Sequence, residues 1–392
     1  MGSTAVSSAT TLRPSDRLAD EVLLGWLRDM LLIREFENRS GQAYQQAKIG
    51  GFLHLYTGQE PVAVGTVAAV QPDDPIVHAY RDHGHALARG MSPRACMAEM
   101  FGRLPGCAKG KGGSMHMFDK PHWFFGGHGI VGAQTPLGVG LAFAAKYELE
   151  VLGTALENPG VEPGQPARKK VALAFLGDGA LNQGALHEAM NLAGLWSLPC
   201  IFVVENNLYS MGTRIDRGTT SPDALVRKGE AYAIRAETMD AFDVVEFYDA
   251  FKPLADWCRE NQKPAFVDVR TYRYHGHSMS DPQKYRTKEE VDAFKAKDGI
   301  EALASLLMSP RPSASNGSSR SAKPKPRGCL TNERYEAMQN EVREVVREAI
   351  DFAENAPAPD PVKELYADVL LNPQPGMSPS GDYIHGAKNP LL

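Results

Sequence analysis

The sequence is short of cysteine, of long apolar runs and of positive charge, and each shortage removes a class of function. Its five cysteines (Cys96, Cys107, Cys200, Cys258, Cys329) are odd in number, widely spaced and form no C-x-x-C pair. That pattern argues against a disulfide scaffold, a zinc knuckle or a redox dithiol, and for reduced thiols in a cytosol-like compartment. No stretch approaches the roughly 18 uninterrupted apolar residues of a membrane span. A net charge of -5 gives no global attraction to nucleic acid or anionic lipid, so any polyanion has to be held by a local site. What is present, 392 residues with 43% hydrophobic and 23% charged, predicts a soluble globular chain with room for one large core.

Patterning along the chain divides it. Residues 1–17, rich in Ser, Thr and Ala, read as a flexible N-terminal tail; they hold too little arginine for an organellar transit peptide and no apolar stretch for a secretory signal. From about Asp20 to Ala47, Leu23, Trp26, Leu27, Met30 and Ile33 recur at helical spacing. A second helix is predicted between Gly58 and Val70, followed by a turn and a short strand at Ile76-Val77. The glycine-dense stretch 102–140 predicts loops, and a small-residue helix follows from Pro136 to Glu148. Residues 151–169, rich in Pro, Gly and Glu, read as a surface insertion. Val171 to Leu176 and Cys200 to Val204 are continuous apolar runs, as expected of strands buried on both faces of a parallel sheet. A helix from Ala180 to Gly194 would complete a βαβ unit between them, and another helix (Ala250 to Asn261) precedes a third strand (Ala265 to Arg273). Residues 309–328 are basic and low in complexity and predict a disordered linker; 329–392 then hold one long amphipathic helix and an extended tail. The main domain is thus 18–308, and the fold class is α/β.

The chemistry sits where the two apolar strands end. Gly177-Asp178-Gly179 follows the first and Glu205-Asn206-Asn207 the second, with 27 residues between Asp178 and Asn206. Ligands of open α/β sheets bind at this edge. Glycine lets backbone approach an anion, but an aspartate opposes a phosphate unless a cation lies between them. Asp178 and Asn207 are therefore candidate oxygen ligands for a hard divalent ion such as Mg²⁺. Each motif taken alone is equally a turn with a capping side chain; together, after paired strands, they indicate a site. The Lys109 to Lys111 cluster lacks the spacing of a phosphate-binding P-loop and follows no apolar strand, which argues against ATP.

This spacing resembles the thiamine-diphosphate fingerprint, and residues 20 to 300 resemble the alpha subunits of thiamine-diphosphate-dependent 2-oxoacid dehydrogenases, pyruvate dehydrogenase in particular. The resemblance is carried by HLYTGQE (54–60), YRDHGH (80–85), GKGGSMHM (110–117), GIVGAQ (129–134), NNLYSMG (206–212) and YRYHGHSMSD (272–281). It implies a mostly parallel sheet with helices on both faces plus N- and C-terminal helical extensions. It further implies that Asp178, Asn207 and the carbonyl of Tyr209 hold Mg²⁺ on the diphosphate; that Tyr80, Arg81, His277, Gly179 and Ala180 contact the cofactor; that Gly129 and Val131 offer backbone to its aminopyrimidine; and that His54 lies near the substrate. The implied reaction is oxidative decarboxylation of pyruvate with transfer of acetyl to a lipoyl group. The implied partners are a beta subunit, in an α2β2 heterotetramer, and a lipoyl-bearing acyltransferase. An acetoin or branched-chain 2-oxoacid dehydrogenase is the neighbouring alternative; a scaffold without chemistry is disfavoured because Asp178, Asn207, Arg81 and His277 are all present.

The chain also departs from the family. Ser278 resembles the main phosphorylation site of the mitochondrial enzymes, but two related sites are lost, at Gln283-Lys284-Tyr285 and at Arg214. The expectation is a bacterial-type, cytoplasmic enzyme without that kinase control, in which Ser278 is a loop hydrogen-bonding residue.

Overall fold

A computed structural model describes residues 13–155, 164–311, 324–364 and 367–368. Its centre is one six-stranded, all-parallel sheet in the order β2-β1-β3-β4-β8-β7. The strands are β1 (Ile76–Ala79), β2 (Phe124–His128), β3 (Ala172–Gly177), β4 (Cys200–Asn206), β7 (Arg235–Asp240) and β8 (Ala265–Arg270). The short pair β5 (Tyr209–Ser210) and β6 (Thr213–Arg214) forms a separate hairpin.

Period-two alternation sorts the central strands between two cores. Leu173, Phe175, Ile201 and Val203 enter one core with α1 (Asp20–Gln45), α2 (Glu60–Ala69), α3 (His83–Ala88) and α4 (Pro93–Met100). Ala172, Ala174, Leu176, Phe202 and Val204 enter the other, with α5 (Gln134–Tyr147) and α6 (Gly184–Trp196). Burial of each large apolar side chain contributes about 1.5–3 kcal/mol. Beyond the sheet lie α7 (Ile215–Gly218), α8 (Val226–Glu230), α9 (Val244–Asn261), α10 (Lys288–Lys295), α11 (Gly299–Met308), α12 (Asn332–Asn355) and α13 (Pro361–Glu364). In α12 the side chains of Val342, Val346, Ala349 and Ala353 are buried, at the spacing of one helix face, with Tyr335, Met338 and Val345 half-buried beside them.

Several local expectations change. Residues 124–128, expected as loop, form the edge strand β2. Its glycines are required by packing, because a Cβ on Gly127 would lie 2.1 Å from the Asp82 carboxylate and one on Gly126 2.1 Å from the Phe118 ring. The helix after β3 is interrupted: a 3-10 turn spans Asp178–Asn182, and extended Gln183 separates it from α6. α9 starts six residues before the expected Ala250, because Asp243 caps it by accepting from the Val245 and Glu246 amides. Polar β7 has only one buried side chain and carries no strand pattern.

Residues 1–12, and the central parts of the insertion (156–163), the linker (312–323) and the tail (369–392), lie outside the described residues. What flanks them is tied down. Ser15 bonds Asp249 through its amide (2.7 Å) and hydroxyl (2.6 Å), Arg327 donates to the Ser15 carbonyl at 2.8 Å, and Thr154 bridges Pro166. Among the described residues, no helix is long and apolar enough to cross a membrane.

Candidate active site

From β3 the chain progresses to β4 on one side, whereas β1 and β2 lie on the other. The sheet's switch point therefore falls between β1 and β3, where the loops leaving the strand ends diverge and open a crevice. A cleft of about 240 Å³ occupies this edge. Nine of the eleven residues singled out from the sequence line it: Tyr80 and Arg81 after β1, Val131 after β2, Asp178, Gly179 and Ala180 after β3, Asn207 and Tyr209 after β4, and His277 after β8. Gly129 and His54 are not in its wall. Gly129 faces His116, and His54 stands behind it, its ring 4.6 Å from that of Tyr80 and 5.1 Å from that of His277.

Asp178 is 4% exposed and its Oδ2 has no hydrogen-bond partner. Burial pushes its carboxyl up to about 6, against the opposing pull of Arg273. Gly179 is obligatory, since a Cβ there would come within 2.3 Å of Ser210 Oγ. Asn207 is oriented by its neighbours. The Tyr209 amide and Arg273 Nη1 both approach its Oδ1 at 3.4 Å, and its Nδ2 donates to Gln59 Oε1 at 3.0 Å. Asp178 Oδ2, Asn207 Oδ1 and the Tyr209 carbonyl thus supply a hard-oxygen donor set of the kind Mg²⁺ takes.

Two buried guanidiniums face this set, and neither has a carboxylate partner among the described residues. Arg81 donates to the carbonyls of Leu55 (2.5 Å) and His277 (2.8 Å). Arg273 donates to the carbonyls of Tyr209 (2.8 Å) and Met211 (2.6 Å) and to the Tyr285 hydroxyl (2.7 Å). Burial, and then repulsion by Arg273, lowers the pKa of Arg81. Unpaired buried cations are costly, and a polyanion relieves them. The arrangement fits a diphosphate accompanied by a divalent cation. Burial also drives His54 down to about 2 and His277 down to about 3, each pushed further by Arg81. Both imidazoles are neutral near pH 7, so each has one N–H to donate and one nitrogen to accept.

Arg273 lies inside the YRYHGHSMSD motif without being singled out by it, and only the folded chain reveals its contacts with Asn207, Tyr209, Met211 and Tyr285. Also unforeseen is a buried cluster beside the cleft, which Glu205 joins to its wall. Tyr56 OH donates to Glu205 Oε1, Glu205 Oε2 lies 3.1 Å from His78 Nε2, and both ring nitrogens of His85 lack partners. The glycine-rich loop around Lys109 does cradle an anion, but an internal one: Glu99 accepts the amides of Ala108, Gly110, Gly112 and Gly113. Ser278 Oγ lies 3.1 Å from Ser280 Oγ.

The family described as Dehydrogenase E1 component matches residues 28–362. Among curated relatives, the pyruvate dehydrogenase E1 component subunit alpha of Rickettsia bellii is 44% identical over 344 residues, covering 88% of this chain and 94% of that one. The protein of the same name from Rhizobium meliloti is 44% identical over 345 residues, covering 88% of each. The chloroplastic pyruvate dehydrogenase E1 component subunit alpha-3 of Oryza sativa is 36% identical over 364 residues, covering 93% of this chain and 79% of that one.

Proposed function

The chain belongs to the dehydrogenase E1 component family, and from that premise we propose that it is the alpha subunit of a pyruvate dehydrogenase (acetyl-transferring), dependent on thiamine diphosphate and Mg²⁺. The observation that carries this reading is the charge pattern of the cleft: two carboxylate-free guanidiniums opposite one unpartnered aspartate oxygen. Curated relatives named for pyruvate favour it over acetoin or branched-chain 2-oxoacids.

Thiamine diphosphate, when bound, supplies the nucleophilic carbon and the electron sink for decarboxylation. The protein's part is placement and charge. Asp178, Asn207 and the Tyr209 carbonyl hold the cation; Arg81 and Arg273 offset the diphosphate charge, aided by the backbone at Gly179 and Ala180. Neutral His277 donates one N–H toward the anion, and its carbonyl keeps Arg81 aimed. His54, packed on Tyr80 and His277, fixes both rings and keeps an unpartnered Nδ1 for the reacting end of the site.

An exposed apolar face on α5 and α6 supports a partner subunit. On α5 and α6, Leu137, Phe143, Tyr147, Leu195 and Trp196 are each more than 40% exposed, and Phe143 lies against both Tyr147 and Trp196. A beta subunit in an α2β2 assembly is the proposed occupant, with a lipoyl-bearing acyltransferase as acceptor of the acetyl group and the bacterial cytoplasm as the location. The test is co-expression with a beta subunit and assay of 2-oxoacid decarboxylation with and without thiamine diphosphate and Mg²⁺. Asp178→Ala should lower cofactor affinity by at least about 100-fold while the assembly persists; undiminished affinity refutes the metal assignment, and no activity on any 2-oxoacid refutes the enzyme.

A further inference from the structure

Gln59 sits in the wall of the cleft, at the N-terminal end of α2, and is fully buried. Three contacts define what it does. The Tyr209 amide and Arg273 Nη1 both point at Asn207 Oδ1, which settles that this atom is the amide oxygen. Asn207 Nδ2 is therefore the amide nitrogen, and it donates to Gln59 Oε1 at 3.0 Å. Since that contact makes Oε1 the acceptor of Gln59, its other end is the NH₂ group, and this Nε2 has no partner among the described residues. A buried amide nitrogen left unpaired is destabilising, a cost the fold tolerates where a ligand removes it.

From these contacts we infer that Gln59 is a positioning residue for the cation and a donor to the cofactor's diphosphate. Resting on the function proposed above, it extends that reading to a residue outside the cation's own donor set. With Oε1 it holds the Asn207 amide so that the oxygen, and not the nitrogen, is presented to the divalent ion; an inverted amide would put two N–H bonds against a cation. With Nε2 it offers a neutral donor to an anionic oxygen, adding to Arg81 and Arg273 a contact that carries no further positive charge.

The two roles separate by substitution. Gln59→Glu keeps an acceptor for Asn207 Nδ2 but removes the donor and adds negative charge. Gln59→Ala removes both. The experiment uses the assembled alpha–beta complex and isothermal titration, with thiamine diphosphate titrated at saturating Mg²⁺ and Mg²⁺ titrated at saturating thiamine diphosphate. Assembly is checked by size exclusion. For Gln59→Glu, affinity for thiamine diphosphate should fall about tenfold or more while Mg²⁺ affinity stays within about twofold of wild type; for Gln59→Ala both should fall, each about tenfold or more. In steady-state kinetics the Ala variant should regain turnover at high cofactor and Mg²⁺. A Glu variant that binds thiamine diphosphate as tightly as wild type overturns the donor role. A Glu variant whose Mg²⁺ affinity falls about tenfold overturns the positioning role, a comparison that stands even if the Ala variant does not fold. Wild-type and Asp178→Ala complexes run in parallel: if wild type binds no cofactor, the proposed function itself fails, whereas a binding wild type with indifferent Gln59 variants sinks this inference alone.

Discussion

Glu37 and His83 form a fully buried pair, with His83 Nδ1 3.0 Å from Glu37 Oε1 and Nε2 2.9 Å from both the carbonyl and the hydroxyl oxygen of Ser114. Burial alone would depress the imidazole, but Glu37, then Asp82 and the Ser114 carbonyl, raise it to about 9. The folded chain therefore keeps a proton that the unfolded chain releases near pH 6.5. The sign follows: the pair's stabilisation is complete below about pH 6.5 and is lost progressively as pH rises through about 9. Its size is on the order of 3 kcal/mol, as for a buried ion pair that loses one of its charges. Glu37→Gln keeps the shape and an acceptor oxygen but removes the charge, so burial dominates and drives His83 below its ordinary value. Stability should then be lost on acidification and not on alkalinisation. The assay is calorimetric unfolding of the assembled protein at pH 6, 7.5 and 9, wild type against variant. The same alkaline loss in both refutes the assignment, because the proton in question then belongs elsewhere.

Three further outcomes are expected. Arg81→Lys removes the fork that spans the Leu55 and His277 carbonyls and should weaken thiamine diphosphate binding about tenfold or more, measured by titration, with the unfolding temperature little changed. Gly138→Val should destabilise by about 1–3 kcal/mol or more, read by chemical denaturation, because even a Cβ at this position in α5 would lie 2.6 Å from the Ala174 Cβ on β3. The double variant Phe143→Ser, Trp196→Ser should dissociate the beta subunit at concentrations where wild type stays assembled, since exposed aromatics that anchor an interface cost about 2 kcal/mol or more each when removed; sedimentation shows it, and an unchanged assembly places the interface elsewhere.

The sequence was most readable where one physical rule dominated. β3 and β4 are buried on both faces, so apolar side chains fill them as far as Leu176 and Val204, and the motifs that close them fall on the binding edge by topology. The α1 and α12 stripes are legible for the same reason. β7 was not, because it is an exposed edge strand whose pairing with β8 fixes it without an apolar pattern. β2 was hidden by its glycines, which serve the close approach of Asp82 and Phe118 and not a turn. The motifs likewise point to nine residues that line the cleft and pass over others in the same wall. Gln59, Glu205 and Arg273 act through neighbours distant in sequence, and no spacing in the chain encodes such contacts.

Those neighbours explain why the site is built from so many loops. Arg81, leaving β1, is held by carbonyls before α2 and after β8; Arg273, leaving β8, is held by carbonyls of the β5–β6 hairpin. Each guanidinium stays aimed only while those loops keep their places, and each loop is tied to the sheet through the guanidinium it holds. A carboxylate partner would anchor either arginine more simply, but it would also neutralise the charge the cofactor needs. Carbonyl dipoles orient the cations without cancelling them, which keeps the positive field intact for a diphosphate. The same economy of charge accounts for Asp178, a buried carboxylate of the same cleft whose Oδ2 has no partner among the described residues, which suits a cation that arrives with its own anion.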